Sequence, residues 1–368
     1  MLLFAVLLTR RDFDDYSVWI TTSAFVLGLG QAVGVERVLV GRRTLPDGLA
    51  SVGVLGLSIA VVQAGAAAAL GNLPLAICAL ASLAYVRWDF LRFTAEPSGA
   101  VSFLVRDLLT LVAQIGAVLA MYAAGVPTGW LPVGWWGVGL VLWTLFAAAR
   151  GVRRTRLATG WAVLRGDRRE SFPLLADAAM AGIPLVVALA LARAQAGVGV
   201  ASDARLALTI LGPMTVIGLG LRRVLYRMSA DGRLTRRGTV VFSLMVPTVF
   251  AMCAGLLLLT RTPPYAAVLH DFSALSWATV VGFALNHAVL MAVMLPAAYL
   301  RAEGRTAAVG VARTLATVAG VGVALALMPF DDPADVAWAV AAGSIAYLLA
   351  MWTALTLTKH QTTVRTAT

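Results

Sequence analysis

Long apolar runs separated by short polar gaps dominate this chain. Crossing a bilayer as a helix takes about 20 mostly apolar residues. Eleven runs reach that length: Ser17–Val40, Leu49–Leu70, Leu73–Phe93, Ala100–Gly125, Trp130–Arg150, Pro173–Ala192, Ser202–Arg222, Gly238–Thr260, Phe272–Leu300, Ala307–Phe330 and Ala334–Thr358. The pattern therefore predicts an all-α polytopic membrane protein.

A further apolar run, Met1–Thr9, is too short to cross a bilayer. We interpret it as the end of a helix whose beginning is missing because the start codon is misassigned. It is not typical of a secretory signal, since no basic residues precede its apolar part. With this truncated first helix, about twelve transmembrane helices are expected, arranged as two six-helix bundles around a central cavity.

The basic residues predict the orientation of the chain in the membrane. Most of its 29 Lys and Arg residues fall in alternate gaps between the apolar runs. The opposite gaps contain only Arg10, Arg11, Arg193, Arg205 and Arg261. Because Lys and Arg concentrate in cytoplasmic loops, we expect both termini to be cytoplasmic, in a bacterial inner membrane. These loops also account for the net charge of +11 without a nucleic-acid partner.

The longest of the basic gaps, residues 151–172, divides the chain. Its Arg-rich sequence, with Trp161 and Leu164 among the charges, is typical of a helix lying on the inner membrane surface. We therefore expect an N-terminal bundle over residues 1–150, this interfacial linker, a C-terminal bundle over 173–358 and a cytoplasmic tail over 359–368. Two bundles flanking a midplane site are typical of transporters.

Several kinds of chemistry lack the residues they require. The only lysine is Lys359, so the chain has no lysine-containing phosphate-binding loop. Three histidines and two cysteines, Cys78 and Cys253, show no metal-ligand or disulfide spacing. We expect no cofactor, no metal and no enzymatic activity.

Several short segments are similar to parts of one known family. Leu7–Tyr16 has the pattern of a helix end followed by a loop with acidic and aromatic residues, and Gly30–Arg43 and Arg87–Arg92 have the pattern of basic helix exits. Ala204–Pro213 and Leu219–Met228 match the eighth helix of that family. Together these segments resemble the multidrug/oligosaccharidyl-lipid/polysaccharide (MOP) flippase superfamily, nearest its O-antigen-translocase-like branch. Arg11-Asp12 stands where the family has leucine-glycine.

The resemblance implies a flippase that moves a polyprenyl-diphosphate-linked oligosaccharide, or another anionic lipid, from the inner to the outer leaflet by alternating access. Its expected partners are membrane lipids and the polysaccharide polymerase or glycosyltransferases of the same pathway. Such cargo requires a polar cavity, cations for the diphosphate and a lateral opening for the lipid tail.

Polar residues inside apolar runs are costly and therefore are candidates for function. Asp107, Thr110 and Gln114 share one helical face beside Arg106, which can bind a diphosphate through two parallel hydrogen bonds. The alternative is that Arg106 reaches the inner interface and pairs with a carboxylate. Gln31 and Asn286 are further substrate-binding candidates.

Other residues are candidates for coupling and gating. Asp177 lies one turn inside its segment, where a carboxylate facing a dry interior can carry a proton; a structural hydrogen bond is the alternative. His287 is a possible proton-linked gate or an ordinary interhelical donor. At the inner helix exits, Arg37, Arg87, Asp89 and Arg92 form either a cytoplasmic gate or surface ion pairs.

Three alternatives to the flippase remain open. A proton- or cation-coupled multidrug exporter would share the fold. A membrane glycosyl- or acyltransferase would bring Asp12, Asp14 or Asp15 together with His270, although solvated loop carboxylates are the simpler interpretation. A non-transporting scaffold would have a filled interior. Trp130, Trp135 and Trp136 are interpreted as an aromatic belt at the outer interface.

Overall fold

The computed structural model describes residues 2–30, 34–39, 43–95, 100–149, 157–166, 168–195, 199–230, 238, 245–268, 275–303 and 305–365. Within these ranges the chain is helical and contains no β-strand, which confirms the all-α prediction. The chain divides into two compact units: Leu7–Ala179, the N-terminal unit, and Met180–Thr368 with Met1–Val6, the C-terminal unit.

The first nine α-helices lie before residue 167. They are α1 (Leu2–Leu7), α2 (Arg10–Gly30), α3 (Glu36–Leu39), α4 (Leu45–Ala69), α5 (Leu73–Cys78), α6 (Ala81–Thr94), α7 (Ala100–Ala123), α8 (Leu131–Ala149) and α9 (Leu157–Gly166). A short 3₁₀ turn, Thr128–Trp130, leads into α8.

The remaining helices begin with α10, inside which the boundary between the two units falls. They are α10 (Arg168–Gln195), α11 (Val200–Ile210), α12 (Gly212–Ala230), α13 (Val246–Leu258), α14 (Pro263–Val268), α15 (Trp277–Ala302), α16 (Thr306–Ala326) and α17 (Pro333–Arg365).

Among the described residues, eight helical segments are long and apolar enough to cross a membrane. They are Leu45–Ala69, Leu73–Thr94, Val101–Ala123, Thr128–Ala149, Leu175–Ala194, Trp277–Arg301, Ala307–Ala326 and Pro333–Thr356. Each coincides with a predicted apolar run, so the chain is a multi-pass membrane protein. A shorter apolar helix covers Val246–Arg261.

The sequence analysis expected Arg10–Tyr16 to belong to a loop after the first helix. This prediction is wrong because these residues form the first turns of α2. The Thr9 hydroxyl caps this helix by accepting a hydrogen bond from the Asp12 backbone N–H (3.2 Å). The same hydroxyl donates to the Asp12 carboxylate (2.8 Å), as does Thr128 (2.8 Å). Asp14 and Asp15 are buried, so they are not solvated loop carboxylates.

One buried glutamine connects three helices of the N-terminal unit. Gln63 of α4 is fully buried and donates from its amide nitrogen to the Ser23 hydroxyl of α2. Its amide oxygen accepts a hydrogen bond from Ser82 of α6. Both ends of the amide are therefore satisfied, as a buried polar group requires.

The core of the C-terminal unit lies between α15, α16 and α17. Val293 and Leu300 of α15, Ala312 of α16, and Tyr347 and Met351 of α17 belong to one buried cluster. Small residues allow these helices to approach closely, as is common between membrane helices. At Gly282 of α15, for example, a Cβ atom would lie 2.8 Å from that of Ala337.

The packing of α9 on α4 generates a prediction. A Cβ atom at Gly160 would fall on the Ala50 carbonyl oxygen and lie 2.7 Å from its carbonyl carbon, whereas one at Gly166 would meet nothing within 4 Å. We expect Gly160→Ala to destabilise the protein by about 1–3 kcal/mol, because rigid backbone must shift. The matched control Gly166→Ala should be neutral or stabilising by up to about 1 kcal/mol. Thermal unfolding in detergent measures both, and equal midpoints would contradict this packing.

Candidate ligand-binding residues in the N-terminal unit

Asp107 of α7 is held by two side chains of α6. The Trp88 indole Nε1 donates to Asp107 Oδ1 (2.7 Å), and Arg92 Nη1 donates to Asp107 Oδ2 (3.3 Å). Arg92 also pairs through Nη2 with Asp89 Oδ1. We call Trp88, Asp89, Arg92 and Asp107 the Asp107 cluster. One guanidinium and one uncharged indole N–H bind the two carboxylates, so the cluster contains one cation for two acids.

The spacing of α6 explains how it presents this cluster. Trp88 and Arg92 are four residues apart, and Asp89 and Arg92 are three apart, so all three lie on neighbouring parts of one helical face. Trp88 and Asp89 are buried, while Arg92 is partly exposed. The Trp88 ring also contacts Phe103 and Phe146, with centroid distances of 4.9 and 5.6 Å. These contacts fix the indole that holds Asp107.

Arg106 differs from its neighbour because no described carboxylate pairs with it. Its guanidinium carbon lies 5.5 Å from the centroid of the Phe146 ring, within the range of a cation–π contact. Its Nη1 atom is buried and makes no hydrogen bond with any described residue. The described hydrogen bonds of the Asp107 carboxylate go to Trp88 and Arg92. Arg106 therefore has a buried donor without an acceptor in the described part of the chain.

The other two residues of the predicted polar stripe form hydrogen bonds within the protein. Thr110 is buried and donates to the Arg106 carbonyl oxygen (2.8 Å) in the preceding turn. Gln114 is also buried and donates to the Trp135 carbonyl oxygen of α8 (3.1 Å). Gly139 leaves room for this amide, because a Cβ there would lie 2.8 Å from Gln114 Nε2. Thr110 therefore connects two turns of α7, and Gln114 connects α7 to α8.

Five aromatic rings form a connected group in the N-terminal unit, which we call the aromatic cluster: Tyr16, Trp19, Tyr85, Trp136 and Trp143. Successive ring centroids lie 4.7–6.1 Å apart. Trp136 and Trp143 are buried. The prediction that Trp136 belongs to an interfacial belt is therefore wrong, because its ring packs inside the unit and its Nε1 donates to the Tyr16 hydroxyl (3.3 Å).

The remaining predicted residues are not brought to Arg106 by any described contact. Arg37 is buried on α3, and Arg87 is partly buried on α6. Asp177 is buried on α10. Gln31 and His270 lie outside the described residues. In the described ranges, no group of three or more His, Cys, Asp and Glu side chains is placed to hold a metal ion.

Asn286 and His287 lie next to each other on α15 but point in different directions. Asn286 is buried and its Oδ1 accepts a hydrogen bond from the Ser344 hydroxyl of α17 (2.5 Å). His287 Nδ1 lies 3.1 Å from the Phe283 carbonyl oxygen in its own helix. The geometry is that of an ordinary intrahelical contact for His287 and an interhelical one for Asn286.

The sequence analysis did not single out Trp88, whose indole binds Asp107. The only signal for Trp88 was its four-residue spacing from Arg92, which places both on one helical face. Arg313 was not singled out either, although it lies about two turns inside α16, within an apolar run.

No protein-family model matches the sequence, and no curated protein matches it. Solved structures do match over nearly the whole chain. The lipid II flippase MurJ, in an inward closed conformation, is 13% identical, with a TM-score of 0.66 over 96% of this chain and 84% of that one. A multidrug resistance MATE transporter, inward-facing, is 14% identical, with a TM-score of 0.55 over 98% and 94%. A MATE transporter of Vibrio cholerae is 14% identical, with a TM-score of 0.59 over 99% and 95%.

These neighbours show the fold of the chain. The chain has the fold of these flippase and transporter structures, which is the fold that the sequence resemblance implied. They include both lipid and drug transporters, so the fold alone does not select the cargo.

The Asp107 cluster predicts coupled losses of stability. Asp107→Ala removes the acceptor of the buried Trp88 N–H, and an unsatisfied buried donor costs about 1–3 kcal/mol. Trp88→Phe removes the same hydrogen bond from the other side. We therefore expect the double variant to lose clearly less stability than the sum of the single losses, as measured by thermal unfolding in detergent. Trp130→Phe, at a more exposed tryptophan of the same unit, is the control and should have little effect. Strictly additive losses would contradict the hydrogen bond.

Proposed function

We propose that this chain is a flippase that moves a polyprenyl-diphosphate-linked oligosaccharide from the inner to the outer leaflet by alternating access. The cargo combines a hydrophilic glycan, an anionic diphosphate and an apolar lipid tail. Transport requires a cation that binds the diphosphate without a strong internal counter-ion, because a paired cation would have to give up its partner first. The protein requires no cofactor for this process.

Arg106 is the observation that carries the proposal. It lies in a membrane-crossing helix, has a buried Nη1 without a hydrogen-bond partner among the described residues, and pairs with no described carboxylate. Arginine presents several N–H donors in a rigid plane, which suits two phosphate oxygens at once. Phe146 supports the guanidinium from one side without neutralising it. A diphosphate would therefore satisfy both the charge and the unused donor.

The Asp107 cluster supports this role by giving the carboxylate next to Arg106 other partners. Asp107 is the nearest carboxylate to Arg106 along the chain, and its two oxygens accept from Trp88 and Arg92. The described structure therefore does not use Arg106 to hold this carboxylate. The fold comparison adds that a lipid II flippase is among the structures this chain is similar to. We further propose that the protein resides in the bacterial inner membrane with both termini cytoplasmic.

A multidrug exporter is the second candidate, and the aromatic cluster favours it. Aromatic faces attract organic cations, and a nearby buried carboxylate strengthens such a site. Asp14 and Asp15 are buried on α2, the helix that also supplies Tyr16 and Trp19. An exporter would use these residues for a cationic drug, whereas the flippase would use Arg106 for an anion. The two functions therefore depend on different side chains of one unit.

The test of the flippase is transfer of a fluorescent polyprenyl-diphosphate oligosaccharide across proteoliposomes that contain the full chain. Arg106→Gln should reduce the transfer rate at least tenfold, because the cation whose buried Nη1 has no described hydrogen-bond partner is lost. Arg106→Lys keeps the charge but not the planar donor set, so it should retain intermediate activity.

The matched control is Arg165→Gln, which removes the same charge from an exposed position on α9. It should transfer the lipid at the rate of the unmodified protein. No transfer by the folded, unmodified protein would reject the flippase. Drug efflux from the same vesicles that depends on Asp14 or Asp15, with no lipid transfer, would establish the exporter instead.

We also propose that Asp177 couples transport to a proton gradient. Its carboxylate is buried in a membrane-crossing helix, where ionisable side chains are rare and mark proton and ion pathways. Asp177→Asn should keep basal lipid transfer but remove its acceleration by an imposed pH gradient. Asp203→Asn, at another buried carboxylate, is the control and should keep the acceleration. An Asp177→Asn protein that still responds fully to the gradient would rule out this role.

A further inference from the structure

The short helix α9 is seated on α4 near one end of that membrane-crossing helix. A Cβ atom at Gly160 of α9 would fall on the Ala50 carbonyl oxygen and lie 2.8 Å from Val54 Cγ2. Because α4 begins at Leu45 and rises about 1.5 Å per residue, this contact lies about 8–14 Å from its start. The whole helix has 25 residues, so the contact falls within its first third. This position places α9 near one surface of the membrane.

The side of α9 that faces away from this contact is exposed and mostly apolar. Ala158, Trp161, Ala162 and Arg165 follow the spacing i, i+3, i+4 and i+7, which places them on one side of a helix. All four are exposed. Leu157 borders them and is also exposed. We call these five residues the α9 outer face.

The opposite side of α9 fixes this orientation. Gly160 is buried against the α4 backbone. Val163 and Leu164 follow it by three and four residues, so they share its side of the helix, and both are partly buried. Turning the outer face toward α4 would break the close contact at Gly160. The outer face is therefore directed away from α4 and toward the surroundings.

Trp161 indicates what those surroundings are. It is 59% exposed, the same fraction as Trp277, which begins a membrane-crossing segment. Tryptophan is enriched where membrane meets water, because its ring is apolar and its N–H is polar. Since α9 is seated near one end of α4, the headgroup layer of the bilayer lies within reach of this ring. Contact with that layer would remove Trp161 and Leu157 from water.

The charge around α9 indicates which lipids match the outer face. Arg165 belongs to the face itself, and residues 150–170 contain seven arginines against two acids, Asp167 and Glu170. Basic residues next to a membrane are attracted to anionic lipids in its surface. Exposed apolar residues combined with basic ones are typical of a helix that lies in the headgroup layer. Anionic lipid therefore complements both the apolar and the charged residues of this face.

We propose that the α9 outer face docks onto a membrane surface that carries anionic lipids. Trp161 and Leu157 insert among the headgroups, and Arg165 binds a lipid phosphate through its parallel N–H donors. Because Gly160 seats α9 on α4, the docking also holds this end of α4 at the surface. It binds bulk lipid and takes no part in moving the cargo, so it goes beyond the proposed transport activity and does not depend on it.

The experiment measures how close the outer face lies to lipid when the full chain is reconstituted into vesicles. A fluorophore is attached to Ala158→Cys, and the unmodified protein, whose two cysteines are buried, controls for labelling elsewhere. The vesicles contain phosphatidylcholine, with or without phosphatidylglycerol, and a lipid that carries a spin label near its headgroup as quencher. We expect quenching to be at least about threefold stronger with phosphatidylglycerol, because the anionic surface attracts the basic face.

Variants of the labelled protein separate the charge from the apolar contact. Arg165→Glu should lower quenching in phosphatidylglycerol vesicles to about the level in phosphatidylcholine alone, since the attraction is reversed. Trp161→Gln should lower quenching in both kinds of vesicle. Arg11→Glu reverses another exposed arginine of the same unit and is the matched control, so it should leave quenching unchanged. If Trp161→Gln fails to fold, Leu157→Gln tests the same apolar contact.

Three results would overturn the proposal. Equal quenching with and without phosphatidylglycerol would reject recognition of anionic lipid. A label quenched only by aqueous iodide would show that the outer face lies in water. Energy transfer between labelled copies, without quenching by lipid, would assign the face to a second copy of the chain. The quenching is read without any transport measurement, so its failure is distinguishable from failure of the flippase.

Discussion

Polar side chains buried in apolar helices must find partners within the protein, and this constraint organises the described structure. An unsatisfied polar group costs more inside a membrane protein than at an aqueous surface, because water is not available to replace the missing partner. Gln63 meets the constraint by binding two serines, and Asp107 meets it by accepting from an indole and a guanidinium. These contacts also determine which helices pack together.

The same constraint makes an unsatisfied buried donor informative. Arg106 Nη1 is buried and has no acceptor in the described part of the chain. It lies beside Asp107, whose carboxylate accepts hydrogen bonds from two side chains. The unused group is a donor on a cation, so a ligand that completes it must supply an acceptor, which makes anions better suited than cations.

The sequence predicted the helices better than the contacts between them. Eight of the eleven long apolar runs overlap described helices that are long and apolar enough to cross a membrane. A run of this kind can be recognised because each membrane helix satisfies its backbone internally, a requirement that is local in sequence. The expected number of about twelve helices is not confirmed by the described residues. The sequence pattern failed at Arg10–Tyr16, where charged residues suggest a loop although Thr9 caps a helix there.

Contacts between helices could not be predicted from the sequence, for a different reason. The distance from Asp107 to Trp88 or Arg92 depends on how α6 and α7 pack, and the hydrophobic pattern of each helix leaves that rotation and offset open. The sequence could place Asp89 and Arg92 on one face, yet it could not show that Arg92 also reaches Asp107. Burial of Trp136 likewise depends on rings from α2, α6 and α8 meeting in one place.

The choice between an anionic lipid and a cationic drug depends on which charges have internal partners. Arg92 forms ion pairs with Asp89 and Asp107, so an anionic ligand would gain little binding energy from it. Arg106 has only the face of Phe146, whose attraction is weak compared with a full counter-ion. A diphosphate therefore gains the interaction that the protein leaves unmade, whereas an organic cation placed near Arg106 would be repelled. An organic cation would have to bind at the aromatic cluster, through Asp14 or Asp15, and outweigh their existing interactions. This difference between the two arginines is the reason for proposing an anionic lipid as the cargo.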